Sequence, residues 1–182
     1  MARLRTIDQT TVLDAAERVI IENGAANFTL DAVAARAGIS KGSVLRDYGH
    51  KQDLIRAIVR RRFDEYREAL DAAEQQKSSR IAAHLEVSGQ PWPDEQRKAA
   101  SNLCSSLTND SELVAILAQH YDREIAAIST AGPGSGALLA FLAIEGLKSI
   151  EMVCGYNWPP ADREALLASI SRLSTADQSD AV

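Results

Sequence analysis

The sequence predicts an all-α protein. Three observations carry the prediction. Gly and Pro together number 15 of 182 residues, fewer than an average domain uses for its turns. Aromatic residues make up only 5%, while Ala and Leu are abundant, a balance that favours helices over strands. Apolar residues also recur at helical spacing through most of the chain.

The elements follow in order. Val12, Leu13, Ala16, Val19 and Ile20 predict a first helix over 7–23, stopped by Gly24. Phe28 sits in a connecting loop. Thr29 caps a second helix over 30–37, whose inner face is Leu30, Val33, Ala34 and Ala37. Gly38 permits a tight turn and Ile39 plugs it. Ser40 caps a short third helix that runs to Tyr48 and ends at Gly49. A longer helix starts near Lys51, with Ile55, Val59, Phe63, Tyr66 and Leu70 as its buried stripe.

Beyond Glu74 the helices are less sharply bounded. Gln75 to Arg80 is polar and reads as a hinge or loop. Residues 88–93 read as a loop because they hold Gly89, Pro91 and Pro93. Further helices are expected over 94–107, 111–128 and 137–156, the last two parted by the Gly-rich run 131–136. The first half of the 137–156 helix is apolar on every side, so it should be buried on several faces. Pro159 and Pro160 precede a final amphipathic helix over about 162–173, with Leu166, Leu167, Ile170 and Leu173 inward.

Composition excludes several classes. Hydrophobic residues at 46% and charged residues at 25% describe an ordinary globular chain. No apolar run approaches the ~20 residues that span a bilayer, and the start lacks a secretory signal, so a cytoplasmic location without membrane contact is expected. Two cysteines, Cys104 and Cys154, make neither a disulfide framework nor a zinc knuckle. They read as small core residues or, alternatively, as redox-sensing thiols. The net charge of −5 is unevenly placed. Residues 1–62 hold 11 Lys and Arg against 7 Asp and Glu, a balance of +4, and residues 63–182 hold 9 against 18, a balance of −9. A basic N-terminal piece joined to an acidic remainder fits a polyanion-binding module carried by a body that does not touch the polyanion.

A short helix, a Gly turn and a second short helix, preceded by a supporting helix, form the helix-turn-helix layout. The second of the pair would lie in a DNA major groove. Its groove-facing residues would be Lys41, Ser43, Leu45, Arg46 and Asp47, with Val44 and Tyr48 turned into the core. Lys51 begins the next helix, where its ammonium and free backbone N–H groups could clasp a phosphate. Arg3 and Arg5 form a basic arm suited to the backbone or the minor groove.

Residues 12–54 carry a specific pattern: Val-Leu-Asp-Ala-Ala-Glu, then Phe28-Thr-Leu-Asp-Ala-Val-Ala-Ala-Arg-Ala-Gly-Ile-Ser-Lys-Gly-Ser-Val44, then Tyr48-Gly-His-Lys-Gln-Asp-Leu54. This stretch resembles the DNA-binding domain of TetR-family transcriptional regulators. The resemblance implies a three-helix helix-turn-helix domain over 1–52, joined to a helical effector-binding and dimerisation domain over 53–182. It also implies a homodimer, a palindromic operator in double-stranded DNA, and repression relieved by a small-molecule effector. The DNA-contacting set would be Arg3, Arg5, Thr29, Lys41, Gly42, Ser43, Leu45, Arg46, Asp47 and Lys51. Several positions depart from the family pattern: Tyr48 stands for the usual Phe, a mild change, Asp31 adds an acid on the DNA side of the second helix, and Leu45 and Asp47 differ more. Leu45 stands where a phosphate-contacting Tyr is usual, and offers only apolar contact, for instance to a thymine methyl. Asp47 stands where a His is common. It would repel phosphate unless paired with Arg46 or Lys51, or aimed at a cytosine amino group.

The C-terminal half has no recognisable motif, but its apolar bulk exceeds what one small helical layer needs. Either it packs solidly or it lines an effector cavity. The lining set under the second reading is Leu107, Leu117, His120, Tyr121, Phe141, Leu142, Glu145 and Trp158, for a small apolar or amphipathic effector. Glu145 interrupts an apolar helix, so it should be paired or line that cavity. His120 and Glu124 lie one turn apart without the further ligands a metal needs. The run Gly132-Pro-Gly-Ser-Gly136 lacks the Lys and the preceding strand of a phosphate loop. No cofactor, metal or catalytic constellation is therefore expected. A helical ligand-binding or interaction protein that has lost operator affinity is the competing reading, motivated by Leu45 and Asp47.

Overall fold

A computed structural model describes residues 9–24, 27–77, 79–107, 110–129 and 135–175, with 105–107 as backbone only. The described residues form nine α-helices and no strand: α1 Gln9–Asn23, α2 Leu30–Ala37, α3 Lys41–Tyr48, α4 Lys51–Glu74, α5 Arg80–Gly89, α6 Asp94–Leu107, α7 Ser111–Ile128, α8 Gly136–Val153 and α9 Pro160–Thr175.

The caps explain the bounds. Thr29 and Ser40 accept hydrogen bonds from the N–H groups of Ala32 and Ser43 through their hydroxyls. Gly38 ends α2 in the left-handed region at φ +67°, and its N–H and that of Ile39 return to the last carbonyls of the helix. Asp110 caps α7 by accepting from Glu112 and Leu113, and Ser135 caps α8.

Three bounds differ from the sequence reading. Ser88 and Gly89 belong to α5 rather than to a loop, because Pro91 disfavours helical backbone only in the residue just before it. The eighth helix stops at Val153, not Tyr156, where Gly155 takes φ +63°. The last helix extends to Pro160–Thr175.

Two apolar clusters hold the helices. The first joins Val12, Ala16, Val19 and Ile20 of α1, Val33 of α2, Val44 of α3 and Leu54, Ile55 and Ile58 of α4 around Phe28, which is fully buried. Leu103 of α6 and Leu113 of α7 join the same cluster, so the N-terminal helices share their core with the body. The second gathers Ile81, Ile128, Phe141, Ile144 and Ile170. Polar links reinforce the joint. Arg56 of α4 meets Asp110 with Nε 3.0 Å from Oδ2, and Asn102 of α6 donates to the carbonyl of Ile20 at 3.1 Å.

Ile170 is buried within this cluster, as the inward stripe of the last helix requires, whereas Leu173 on the same stripe is exposed. Pairing along α8 and α9 covers Ile170 within one chain. The apolar excess of α8 goes elsewhere. Leu139, Leu142, Ile150 and Val153 point outward as one stripe at steps of three, eight and three residues, with Gly146 between.

Candidate functional site

The helix α3 projects from the N-terminal cluster with only Val44 fully buried. Lys41, Gly42, Leu45, Arg46 and Asp47 are exposed and Ser43 is half-buried, its hydroxyl 2.9 Å from that of Ser40. Tyr48 is half-buried and its hydroxyl donates to the carbonyl of Gln9 at 3.3 Å. Both acids near this face have partners. Lys41 Nζ lies 2.8 Å from Asp31, and Arg46 Nε lies 3.0 Å from Asp47. Leu45 is 40% exposed, an uncovered apolar group on the projecting face. Lys51 opens α4 and its ammonium lies 5.7 Å from the centre of the Phe28 ring. Thr29 uses its hydroxyl as a helix cap. Arg3 and Arg5 lie outside the described residues.

A cavity of about 200 Å³ opens in the body. Its apolar wall comes from Val59 and Phe63 of α4, Ala99, Ala100 and Leu103 of α6, Leu117 of α7 and Met152 of α8, with Trp92 from the preceding loop. Its polar groups are Tyr66, His120, Tyr121, Glu145 and Lys148 on one side, and Glu17, Arg62, Gln96 and Ser149 besides. Glu145 is paired and lines the cavity as well. It accepts from Lys148 at 2.7 Å and from the Tyr121 hydroxyl at 3.2 Å. Lys148 also donates to the Tyr66 hydroxyl at 3.2 Å. Burial alone would lower the Lys148 pKa, but Tyr66 and Glu145 reverse the effect and hold it above its ordinary value. Burial, then Glu145, pushes the Tyr121 phenol up to about 12. Burial lowers the His120 pKa, which favours the neutral imidazole. Its ring stacks on Phe63 at 4.3 Å between centroids.

Behind this polar side runs a buried network. Tyr66 reaches His84 at 3.2 Å, and His84 reaches Glu124 at 3.0 Å. Arg80 holds both Glu124 oxygens at 2.8 Å and extends to Asp71 and Glu74. Burial tends to raise the Glu124 pKa, yet His84 and Arg80 prevail and bring it down to about 2.

Of the residues the sequence assigned to an effector site, Leu117, His120, Tyr121 and Glu145 line this cavity. Phe141, Leu142 and Trp158 do not. Phe141 is fully buried behind it, edge-on to His84 and Tyr121. Leu142 is 55% exposed on the outward stripe, since one residue turns a helical side chain by about 100°. Trp158 packs its ring edge against Tyr156 in the loop after α8. The Leu107 side chain lies outside the described residues. Sequence reasoning missed Glu17, Arg62 and Lys148. Lys148 was within reach, as a cation one turn from the apolar-helix acid Glu145. Cys104 lines the cavity and burial pushes its thiol up, away from the reactive thiolate. Among the described residues no group of three His, Cys, Asp or Glu is placed to hold a metal, and no helix is long and apolar enough to cross a membrane.

A capped helix-turn-helix pair on a shared core, joined to a helical body with its own cavity, defines the class of helix-turn-helix transcriptional regulators. Residues 12–58 match the model of bacterial regulatory proteins of the tetR family, and residues 78–175 match a tetracyclin repressor-like C-terminal domain. The chain belongs to the TetR family, whose members are DNA-binding transcriptional regulators rather than enzymes.

No curated protein matches the chain. Solved structures share its fold. One, described as a TetR-family transcriptional regulator from Rhodococcus sp., has 21% identity and a TM-score of 0.71, covering 91% of this chain and 97% of its own. A transcriptional regulator from Streptomyces coelicolor A3(2) has 18% identity and a TM-score of 0.72, covering 91% and 97%. The multidrug binding protein EbrR, in its complex with ethidium, has 17% identity and a TM-score of 0.69, covering 90% and 96%.

Proposed function

We propose that the chain acts in the cytoplasm as a homodimeric repressor that binds a palindromic operator through α3 and is released when a small effector fills the cavity. The carrying observation is that one cavity is walled by Glu17 of α1 and by α4, α6, α7 and α8 together. A ligand there touches the helix that supports the reading pair as well as the body, so its affinity depends on how the two sit together. Such differential affinity is what an effector requires. The resemblance in fold to EbrR, a multidrug binding protein, supports a small apolar or amphipathic effector.

Under this reading residues 1–52 form the DNA-binding domain, with Lys41, Gly42, Ser43, Leu45 and Arg46 toward the groove and Thr29 and Lys51 toward phosphate. Arg3 and Arg5 act as an arm. The outward stripe on α8 meets its counterpart on a second copy, which buries Leu142 and spaces two reading helices one DNA turn apart.

The test is a mobility shift with DNA from upstream of the chain's own gene, across a salt series. A complex that weakens steeply with salt supports the reading. The ion pairs that Asp31 and Asp47 make with Lys41 and Arg46 favour a second reading, a ligand-binding body without operator affinity. Absence of any shift at low salt would favour that one.

A further inference from the structure

We propose that the effector is an uncharged molecule of a single substituted ring bearing one hydroxyl, and that His120 is the group that recognises the hydroxyl. The inference rests on the cavity being the effector site. Three observations carry it, and the first is size. An apolar cavity of about 150 Å³ takes up benzene, so the 200 Å³ here holds one ring with small substituents.

The second observation is charge. Each charge on the cavity wall already has its opposite beside it, Glu145 with Lys148 and Glu17 with Arg62. An anionic ligand would face Glu17 or Glu145, and a cationic one would face Arg62 or Lys148. Either would bring an unpaired charge into a largely apolar space, which is costly. A neutral ligand leaves both pairs intact.

The third observation is His120 itself. Tyr66, Tyr121, Glu145 and Lys148 hydrogen-bond to one another. His120 lines the same cavity, as Gln96 and Ser149 do, and makes no hydrogen bond with any described residue. Phe63 fixes its ring by stacking at 4.3 Å, and Tyr121 closes one side edge-on at 5.3 Å. A neutral imidazole keeps one donor and one acceptor. It suits a hydroxyl, which donates to the bare ring nitrogen, with the ring of the ligand against the apolar wall of α6.

Calorimetric titration of the full chain at pH 7.5 tests this with four probes of similar size: 4-methylphenol, 1,4-dimethylbenzene, 4-methylbenzoate and 4-methylbenzylammonium. The phenol should bind about tenfold more tightly than the dimethylbenzene, by one hydrogen bond, and more tightly than either ion. In His120→Phe the phenol and the dimethylbenzene should become about equal while the dimethylbenzene keeps its affinity. His120→Gln should retain part of the preference. A purely structural role for His120 would instead weaken all probes alike in both variants. The proposal is overturned if an ion binds most tightly, if the phenol keeps its advantage in His120→Phe, or if no probe binds at millimolar concentration.

A mobility shift with the same probes separates this proposal from the regulatory reading. Release of operator by ethidium and by none of the four would overturn the ligand class and leave the repressor standing. Binding of the phenol as described, with no operator complex to release, would overturn the repressor and leave the site assignment standing.

Discussion

Glu17 of α1 and Arg62 of α4 form an ion pair in the wall of the cavity. Glu17 is 7% exposed and also holds Arg61 at 2.9 Å. The helix that braces the reading pair is thus fastened to the body at the point a ligand would touch. Glu17→Gln keeps the shape and removes the charge, leaving two guanidinium groups partly uncompensated. Stability should fall by about 1–3 kcal/mol, as for a lost buried charge-assisted hydrogen bond. The effect of a bound ligand on DNA affinity should shrink as well. Thermal melting measures the first, and ligand titration with and without operator measures the second, because coupling is reciprocal. Unchanged coupling would place the communication elsewhere.

Acid should destabilise the body through Glu124. This carboxylate is 1% exposed, and His84 and Arg80 hold its pKa near 2 against an ordinary value of 4.5. A depressed folded-state pKa gives stability that is complete above the unfolded value and is lost as pH falls through the folded one. The window therefore runs from about pH 5 down to about pH 2, and the loss is on the order of 3 kcal/mol. Glu124→Gln should be less stable at pH 7 and show a shallower acid slope over that window. An equal slope in both proteins, by denaturant titration at several pH values, would exclude Glu124 as its source.

Asp47 pairs with Arg46 on the exposed face of α3. Asp47→Asn removes a negative charge and frees the guanidinium, so affinity for random duplex should rise. If Asp47 instead accepts from a cytosine amino group, affinity for the operator should fall. Lys51→Ala should weaken all duplexes alike and reduce the salt slope by about one. Arg46→Ala should cost about 1–3 kcal/mol on the operator and relax one base preference. Binding to both duplexes at several salt concentrations distinguishes these outcomes. Unaltered affinity in both alanine variants would remove α3 from the DNA interface.

Leu142 is 55% exposed at the middle of the outward stripe on α8. Leu142→Arg should give a monomer of unchanged helicity, since no core contact is lost. Ile170→Arg should unfold the body instead, because Ile170 is buried in its own cluster. Light scattering with circular dichroism reads both. A wild-type mass of one chain at micromolar concentration would defeat the dimer.

The N-terminal elements were legible because each is bounded by local chemistry. Thr29 and Ser40 offer capping hydroxyls, and Gly38 and Gly49 allow left-handed turns at the positions the chain needs them. The cavity was legible only in part. A helical stripe predicts which residues turn inward, not which of them stop short of filling the interior, so Phe141 and Tyr121 look alike in sequence. Phe141 packs and Tyr121 lines. Leu142 was misplaced because an all-apolar helix does not declare its angle. The Arg80–Glu124–His84 network was invisible, since α5 and α7 bring its members together from 40 residues apart and no periodicity links them.

The helix α3 contributes a single fully buried side chain, Val44, to the core. Five of its eight residues, Lys41, Gly42, Leu45, Arg46 and Asp47, are exposed and answer mainly to whatever lies outside the protein. Mutations there can accumulate without tripping the stability threshold that purges most changes. Gene duplication would then let a copy keep the same body and cavity while drifting to a new address on the chromosome, so that one sensor design could be rewired to many promoters.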